Sequence, residues 1–242
     1  MRSKEEIRKW MWEEMEKKGI ARFPGAKGRI PNFVGAEKAA LRLEKLSIWK
    51  KARIVKVNPD SPQKEVRFLA LSQGKKVIMP TPRIREGFLL LDPKKIDRSA
   101  LRDASSIRGA FRYGEVIPIE RMPKVDLIVV GSVCIDRNGN RIGKGGGYAE
   151  LEYSILKELG CVKESTVVVS TIHDIQMVDF NIPRDDFDLG IDVVVTPSKT
   201  IWISNSKKPL GIMWDRLPKE KLEEIPILKE LKAKLGHSSY LL

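Results

Sequence analysis

Apolar and polar positions along the chain predict short buried strands separated by amphipathic helices. The segment 125–133 (VDLIVVGSV) is almost continuously apolar, as expected of a strand buried on both faces of a sheet. Shorter apolar runs predict further strands at 52–57, 77–79, 166–172, 193–196 and 200–204, the last at an edge. Strands that alternate with helices predict an α/β fold: a mostly parallel, twisted sheet with helices on both faces, in three α/β/α layers.

A capped amphipathic helix is predicted at the start of the chain, over residues 3–18. Ser3 is suited to cap its N-terminus and Gly19 to end it. Lys4 and Arg8 are four residues apart, so both project from one face of this helix. Further helices are predicted at 35–49, 63–72 and 148–159.

The patterning divides the chain into one α/β domain, 1–205, and a C-terminal extension, 206–242. The extension is expected to be partly helical and docked on the domain, with its helix broken at Pro226 because proline interrupts helical hydrogen bonding. Residues 83–121 mix proline, glycine and charge, which predicts a lid or a binding loop.

The composition predicts that the protein binds an anionic partner. The formal net charge is +13, which fits a nucleotide, a nucleic acid or a polyglutamylated cofactor. Charged residues make up 32% of the chain, with Lys and Glu abundant, a bias typical of thermophile proteins, in which ion-pair networks stabilise the surface. Two cysteines and two histidines are too few for a disulfide framework or a histidine-rich metal site.

A cytoplasmic location is expected, without contact to a membrane. No apolar run approaches the ~18 residues of a membrane span, and the charged N-terminus lacks the apolar core of a signal peptide. The protein is expected to be a monomer or a dimer.

The segment 136–148 (DRNGNRIGKGGGY) carries the clearest chemical signal. It follows the most apolar strand and precedes a predicted helix, where open α/β sheets bind ligands. Gly143 and the run 145–147 let backbone N–H groups converge on an anion. Arg141 and Lys144 add full positive charges, so the segment is predicted to bind phosphate. A purely structural turn is the alternative interpretation of the glycines.

The glycine spacing excludes two common nucleotide motifs. A Walker A loop would end in Gly-Lys-Ser/Thr, and Gly143, Gly145 and Gly146 do not have the spacing of the dinucleotide-binding fingerprint.

The segment 141–148 (RIGKGGGY) resembles the R-L-G-x-G-x-G-Y-Y-D loop of the 5-formyltetrahydrofolate cyclo-ligases, also called methenyltetrahydrofolate synthetases. Lys4 and Arg8 match the K-x-x-L-R start of that family, and Asp188 matches a late acidic position. The resemblance covers residues 1–205. Segments 29–33 (RIPNF) and 80–83 (PTPR) are similar to the methenyltetrahydrofolate synthetase domain-containing proteins.

The resemblance implies a ligase that forms a C–N bond, using ATP and Mg²⁺ to convert 5-formyltetrahydrofolate or a related N-formyl pterin to the 5,10-methenyl form. The catalytic residues it implies are Arg141 and Lys144. The residues it implies for nucleotide binding are Lys4, Arg8, Arg141, Gly143, Lys144, Gly145, Gly146, Gly147 and Tyr148. The substrate contacts it implies are Asp60 and Tyr148, and the Mg²⁺ ligands are Glu150 and Asp188.

One departure weakens the folate side of this resemblance. The sequence reads Tyr148-Ala149-Glu150 where the family has Tyr-Tyr-Asp, so the metal-binding arm is longer and an aromatic ring beside the pterin is missing. Two alternatives therefore stay open. One is a non-catalytic RNA-binding protein on the same fold, and the other is an enzyme for a different N-formyl or carboxylate compound.

Overall fold

The structure is a computed structural model that describes residues 2–238. Its strands are β1 Ala21–Arg22, β2 Asn32–Phe33, β3 Ile54–Val57, β4 Lys76–Pro80, β5 Phe88–Leu91, β6 Glu115–Val116, β7 Leu127–Val130, β8 Cys134–Asp136, β9 Arg141–Ile142, β10 Val167–Thr171, β11 Met177–Val178, β12 Val193–Val195 and β13 Thr200–Trp202. Its helices are α1 Lys4–Lys17, α2 Ala36–Glu44, α3 Ser47–Lys51, α4 Lys64–Ser72, α5 Leu101–Ala104, α6 Ile107–Tyr113, α7 Tyr148–Glu158, α8 Lys219–Glu224 and α9 Pro226–Ser238. Within the described residues, no helix combines the length and apolar character that crossing a membrane requires.

The main sheet has the strand order β13-β12-β10-β7-β3-β4-β5-β6 within residues 2–238. The five central strands, from β12 to β4, run parallel to one another. At the edges, β13, β5 and β6 each run antiparallel to the neighbouring strand. The mostly parallel α/β fold predicted from the sequence is confirmed, and β13 is the predicted edge strand.

Residues on alternate positions of the central strands enter two separate cores. Leu127 and Val129 of β7 pack with residues of α2 and α4, whereas Ile128 and Val130 pack with residues of α7 and α9. Side chains of a strand alternate between the two faces of a sheet, so a continuous apolar run is required when both faces are covered. The helices therefore lie on both faces, as predicted.

The segment 83–121 is more regular than the sequence indicates. It contains β5, α5, α6 and β6, with Leu91 of β5 paired opposite Val77 of β4. A four-residue apolar run does not distinguish a strand from a helix by periodicity alone, so its pairing partner decides the outcome. The predicted helix at 35–49 is likewise two helices, α2 and α3.

Helix α1 packs on a small three-stranded sheet, β11-β8-β9, rather than on the main sheet. Its buried residues Ile7, Met11 and Met15 contact a core that includes Cys134 and Ile142. Ser3 caps the helix and Glu6 completes a capping box, which satisfies free N–H groups of the first turn. This packing places the first turns of α1 beside the loop that follows β9.

Residues of the C-terminal segment are buried in the same core as α7. Ile225, Leu228 and Leu231 are each at most 3% exposed and share a core with Tyr153 of α7. Helix α8 ends at Glu224 and α9 begins at Pro226, so the helix is broken at the proline as predicted from the sequence. The division of the chain at residue 205 stays a prediction.

Candidate functional site

A cavity of about 490 Å³ lies where the carboxyl ends of the central parallel strands meet the N-terminus of α7. Segments that follow β3, β4 and β7 form one side of it, and the loop from β9 to α7 forms the other. The predicted site residues that line it are Asp60, Arg141, Gly143, Lys144, Gly146, Gly147, Tyr148 and Glu150. This is the position at which open parallel sheets bind ligands.

The loop that enters α7 needs glycine for conformational and steric reasons. Gly145 has φ +104° and Gly147 φ +66°, in the left-handed region that other residues rarely adopt. A Cβ atom on Gly146 would lie 2.7 Å from the Tyr148 ring. We therefore expect the loop to keep its backbone open toward the cavity only with this glycine pattern.

Arg141 is a buried, hydrogen-bonded residue at the start of the loop. Its side chain is 2% exposed, and its Nη1 donates to the carbonyl oxygen of Gly131 at 2.8 Å. Its Nη2 pairs with Glu150, while its Nε is buried without a hydrogen-bond partner. Burial raises the pKa of Glu150, but the charge and hydrogen bond of Arg141, a backbone hydrogen bond and the charge of Lys4 together lower it below its ordinary value.

Helix α1 brings two more cations to the loop. Arg8 donates from Nε to the carbonyl oxygen of Gly143 at 2.8 Å. Lys4 contacts Asp185 at 2.6 Å and pairs with Asp188. Burial lowers the pKa of Lys4. The hydrogen bonds and charges of the two carboxylates raise it by more, so the pKa lies above its ordinary value. Arg8 therefore contacts the loop directly, whereas Lys4 contacts the predicted metal ligand Asp188.

The two predicted Mg²⁺ ligands each form an ion pair with a positively charged side chain, Glu150 with Arg141 and Asp188 with Lys4. In the described part of the chain, no group of three or more His, Cys, Asp and Glu side chains is placed to hold a metal ion. Magnesium usually binds one or two carboxylates together with substrate phosphates, so a site of two carboxylates is compatible with that ion. Glu150 lines the cavity, whereas Asp188 does not.

Lys144 and Asp60 lie next to each other in the cavity lining. Lys144 Nζ lies 3.5 Å from Asp60 Oδ1, and the lysine side chain is 48% exposed. A contact this long and exposed contributes little to stability, so Lys144 is free to turn toward a ligand.

Comparison with known proteins agrees with this geometry. The profile of the 5-formyltetrahydrofolate cyclo-ligase family matches residues 1–197. The chain belongs to this family. It is 40% identical over 237 residues to a methenyltetrahydrofolate synthase domain-containing protein of Bos taurus, covering 95% of this chain and 62% of that protein. The chain thus spans less than two thirds of that relative's length.

More distant similarity is found to a second curated protein and to a solved structure. A 5-formyltetrahydrofolate cyclo-ligase of Mycolicibacterium smegmatis is 24% identical over 135 residues, covering 54% of this chain and 64% of that protein. The NMR structure of Aquifex aeolicus 5,10-methenyltetrahydrofolate synthetase superposes with a TM-score of 0.52 at 22% identity, covering 88% of this chain and 99% of that one. This likeness supports the shared fold.

Tyr148, predicted to contact the nucleotide and the substrate, is covered by residues beyond the family match. Its hydroxyl donates to Glu224 at 2.9 Å, and Lys221 Nζ lies 3.1 Å from the centre of its ring. Arg83 and Arg85 also contact Glu224, at 3.4 and 3.1 Å. Burial and the hydrogen bond to Glu224 raise the pKa of Tyr148. Helix α8 therefore holds this tyrosine in place.

A second cavity, of about 350 Å³, lies against the other side of the glycine loop. Gly145, Gly146 and Gly147 form one wall, and apolar residues such as Leu151, Phe187 and Leu217 form much of the rest. Gly145 is thus the one predicted loop glycine that lines this cavity and not the first.

A buried ion pair beside the first cavity was not predicted from the sequence. Lys56 of β3 pairs with Glu152 of α7, and both side chains are at most 5% exposed. Burial raises the pKa of Glu152 despite the ammonium group. A lysine inside the apolar run IVKV was the available signal, since an isolated charge in a buried strand needs a partner.

His173 caps a short turn instead of joining the cavity residues. Its Nδ1 accepts a hydrogen bond from the backbone N–H of Ile175 at 3.2 Å, and Gln176 completes the capping box. Burial lowers the pKa of His173 below its ordinary 6.5, although Asp174 raises it. Protonation would also remove the accepting lone pair.

The stability of the protein is therefore expected to fall as the pH drops through the unfolded histidine pKa, because the fold holds the neutral form of His173. His173→Asn keeps a capping acceptor and should reduce this loss between about pH 7 and 5. The measurement is the urea midpoint against pH for both proteins, with NMR titration of the imidazole C2 protons. An imidazole midpoint above 6.5, or identical pH profiles, would contradict the expectation.

Proposed function

We propose that this chain is an ATP- and Mg²⁺-dependent cyclo-ligase that converts 5-formyltetrahydrofolate, or a related N-formyl pterin, to the 5,10-methenyl form. The observation that carries the proposal is the glycine loop at the N-terminus of α7, with Arg8, Arg141 and Lys144 around it and a cavity in front of it. Membership of the cyclo-ligase family supports it.

The basic residues suit the phosphates of a nucleotide. Arg141 is held by Gly131 and Glu150, so no reorganisation is needed when negative charge arrives. Lys144 is mobile enough to follow a phosphate that moves, and the N-terminus of α7 adds a favourable dipole. When bound, ATP would supply a phosphoryl group that activates the formyl oxygen, so that N10 forms the new C–N bond as phosphate leaves.

The remaining residues would hold the metal and the substrate. Glu150 and Asp188 would supply carboxylate oxygens to Mg²⁺. Each carboxylate would then give up part of its ion pair, with Arg141 and Lys4 respectively. Asp60 and Tyr148 border the cavity and would orient the pterin. The second cavity, mostly apolar and sharing the glycine loop, has the size for the nucleoside of ATP.

Mg·ATP is expected to bind the protein, and Lys144→Ala to weaken that binding about tenfold, since one charge-assisted contact is lost. The matched control is Lys163→Ala, an exposed lysine beyond the other end of α7, for which no change is expected. Calorimetric titration measures both affinities. Equal affinity of Lys144→Ala and wild type would remove this lysine from the site.

Addition of 5-formyltetrahydrofolate to the ATP-bound protein is expected to produce the absorbance of the methenyl product. ATP binding without product would instead indicate a different N-formyl or carboxylate substrate. No ATP binding would overturn the proposal and favour the RNA-binding alternative, for which the observable is RNA affinity that falls steeply with salt.

A further inference from the structure

The Lys56–Glu152 ion pair joins β3 of the main sheet to α7, and Glu152 lines the first cavity. Lys56 Nζ also donates to Asn58 Oδ1 at 2.6 Å, so the ammonium group is held on two sides. Lys56 is 1% exposed and Glu152 4%. Replacing such a buried pair by apolar residues of similar size is often neutral or stabilising, so stability alone does not account for it.

One oxygen of Glu152 faces accessible space in the cavity. The described hydrogen bond of its carboxylate uses Oε2, which accepts from Lys56. Oε1 is not one of the fully buried side-chain atoms that lack a hydrogen-bond partner, and Glu152 borders the cavity. Within the described residues, Oε1 is therefore an acceptor that is open to a ligand.

The charge around this oxygen disfavours a phosphate and favours N–H donors. Asp60 and Glu150 also border the cavity on this side, and Lys56 is engaged by Glu152 and Asn58. Lys144 of the glycine loop, Arg29 and Arg83 also border the cavity, and Lys144 contacts Asp60. The negative charges of Asp60 and Glu150 act on Glu152, so its free oxygen favours a ligand that donates hydrogen bonds.

Apolar residues of the cavity lining suit a flat ring. Ile30, Pro59 and Tyr148 line the same cavity and offer apolar surface. Binding sites for heterocycles commonly combine such surface with a few fixed polar groups that select the orientation.

We propose that the Lys56–Glu152 pair is the subsite for the substrate's heterocycle, with Glu152 Oε1 accepting hydrogen bonds from an amino-pyrimidinone N–H edge. This proposal rests on the proposed function, because a reduced pterin carries such an edge. Lys56 acts as a positioning residue: it occupies Oε2 and neutralises the carboxylate, so a neutral donor edge binds without leaving a buried unpaired charge.

The test compares two small probes, pterin and its 2-oxo analogue lumazine, by calorimetry. Wild type is expected to bind pterin about 10- to 100-fold more tightly, since lumazine presents a carbonyl where pterin presents an amino group. The double variant Lys56→Met with Glu152→Met should lose this preference. It removes both charges together, so it is expected to fold, which urea unfolding checks.

A second variant keeps the ion-pair geometry. In Glu152→Gln, Lys56 should retain the amide oxygen and leave the NH₂ group facing the cavity, so the preference should shift toward lumazine. Mg·ATP affinity is expected to stay unchanged in both variants, which separates the subsite from general damage to the fold.

The two proposals fail in different ways. Pterin preference retained in both folded variants would overturn the subsite, even if 5-formyltetrahydrofolate is turned over. Preference lost in the variants, in a protein that forms no methenyl product, would support the subsite and count against the cyclo-ligase function alone.

Discussion

Replacing Arg141 by methionine is expected to lower the free energy of unfolding by about 3–5 kcal/mol and to abolish tight ATP binding. The stability loss arises because Glu150 would keep its charge in a largely buried position without its partner. The carbonyl of Gly131 would also lose its donor. Urea unfolding measures the first effect, and calorimetry with Mg·ATP measures the second.

Two further variants separate the structural and the ligand-binding roles of Arg141. In Arg141→Met with Glu150→Gln, both charges are removed, so most of the stability should return. Its ATP affinity should remain about 10- to 100-fold below that of Glu150→Gln alone, which keeps the guanidinium group. Equal ATP affinity of these two variants would mean that Arg141 supports the loop without contacting phosphate.

Asp136→Asn is expected to destabilise the protein by about 3–5 kcal/mol, because four donors converge on this one carboxylate. Asp136 is 1% exposed and accepts hydrogen bonds from the backbone N–H groups of Asn138, Asn140 and Ile182, each at 2.9 Å. The Asn140 side-chain amide is the fourth donor, also at 2.9 Å. An amide of the same shape would turn an NH₂ group toward two of these donors.

The matched control for Asp136→Asn is Asp179→Asn. Asp179 pairs with Arg137 in the same turn region, but the two side chains are 82% and 75% exposed, so a loss below about 1 kcal/mol is expected. Urea unfolding at fixed pH compares both variants with wild type. Similar losses for the two variants would contradict the role assigned to Asp136. Since Asp136 also fixes the turn into β9, its loss should weaken ATP binding as well.

The sequence predicted the fold where the local signal was long or distinctive. The run at 125–133 was recognised as a doubly buried strand, and β7 is packed on both faces. Ser3 and Gly19 marked the ends of α1 correctly. Short elements such as β5 were missed, because their conformation depends on a partner strand and not on their own periodicity.

The candidate site divides in the same way. The glycine spacing, Arg141, Lys144 and the Lys4–Arg8 pair were identified in the sequence. The structure brings Arg8 to the glycine loop, whereas Lys4 contacts Asp185 and Asp188. Their roles toward ATP and Mg²⁺ stay predictions. The contact of Glu224 with Tyr148 was not foreseen, because the two residues are 76 positions apart and share no motif.

By itself, the sequence determined the class of fold, the position of the glycine loop before α7 and the family resemblance. All three depend on patterns among residues close in sequence: apolar periodicity, glycine spacing and flanking charge. The tertiary structure decided which distant side chains meet: Lys56 with Glu152 across 96 positions, and Lys4 with Asp188 across 184. Such pairs follow from how helices pack on the sheet, and local pattern contains no information about that packing.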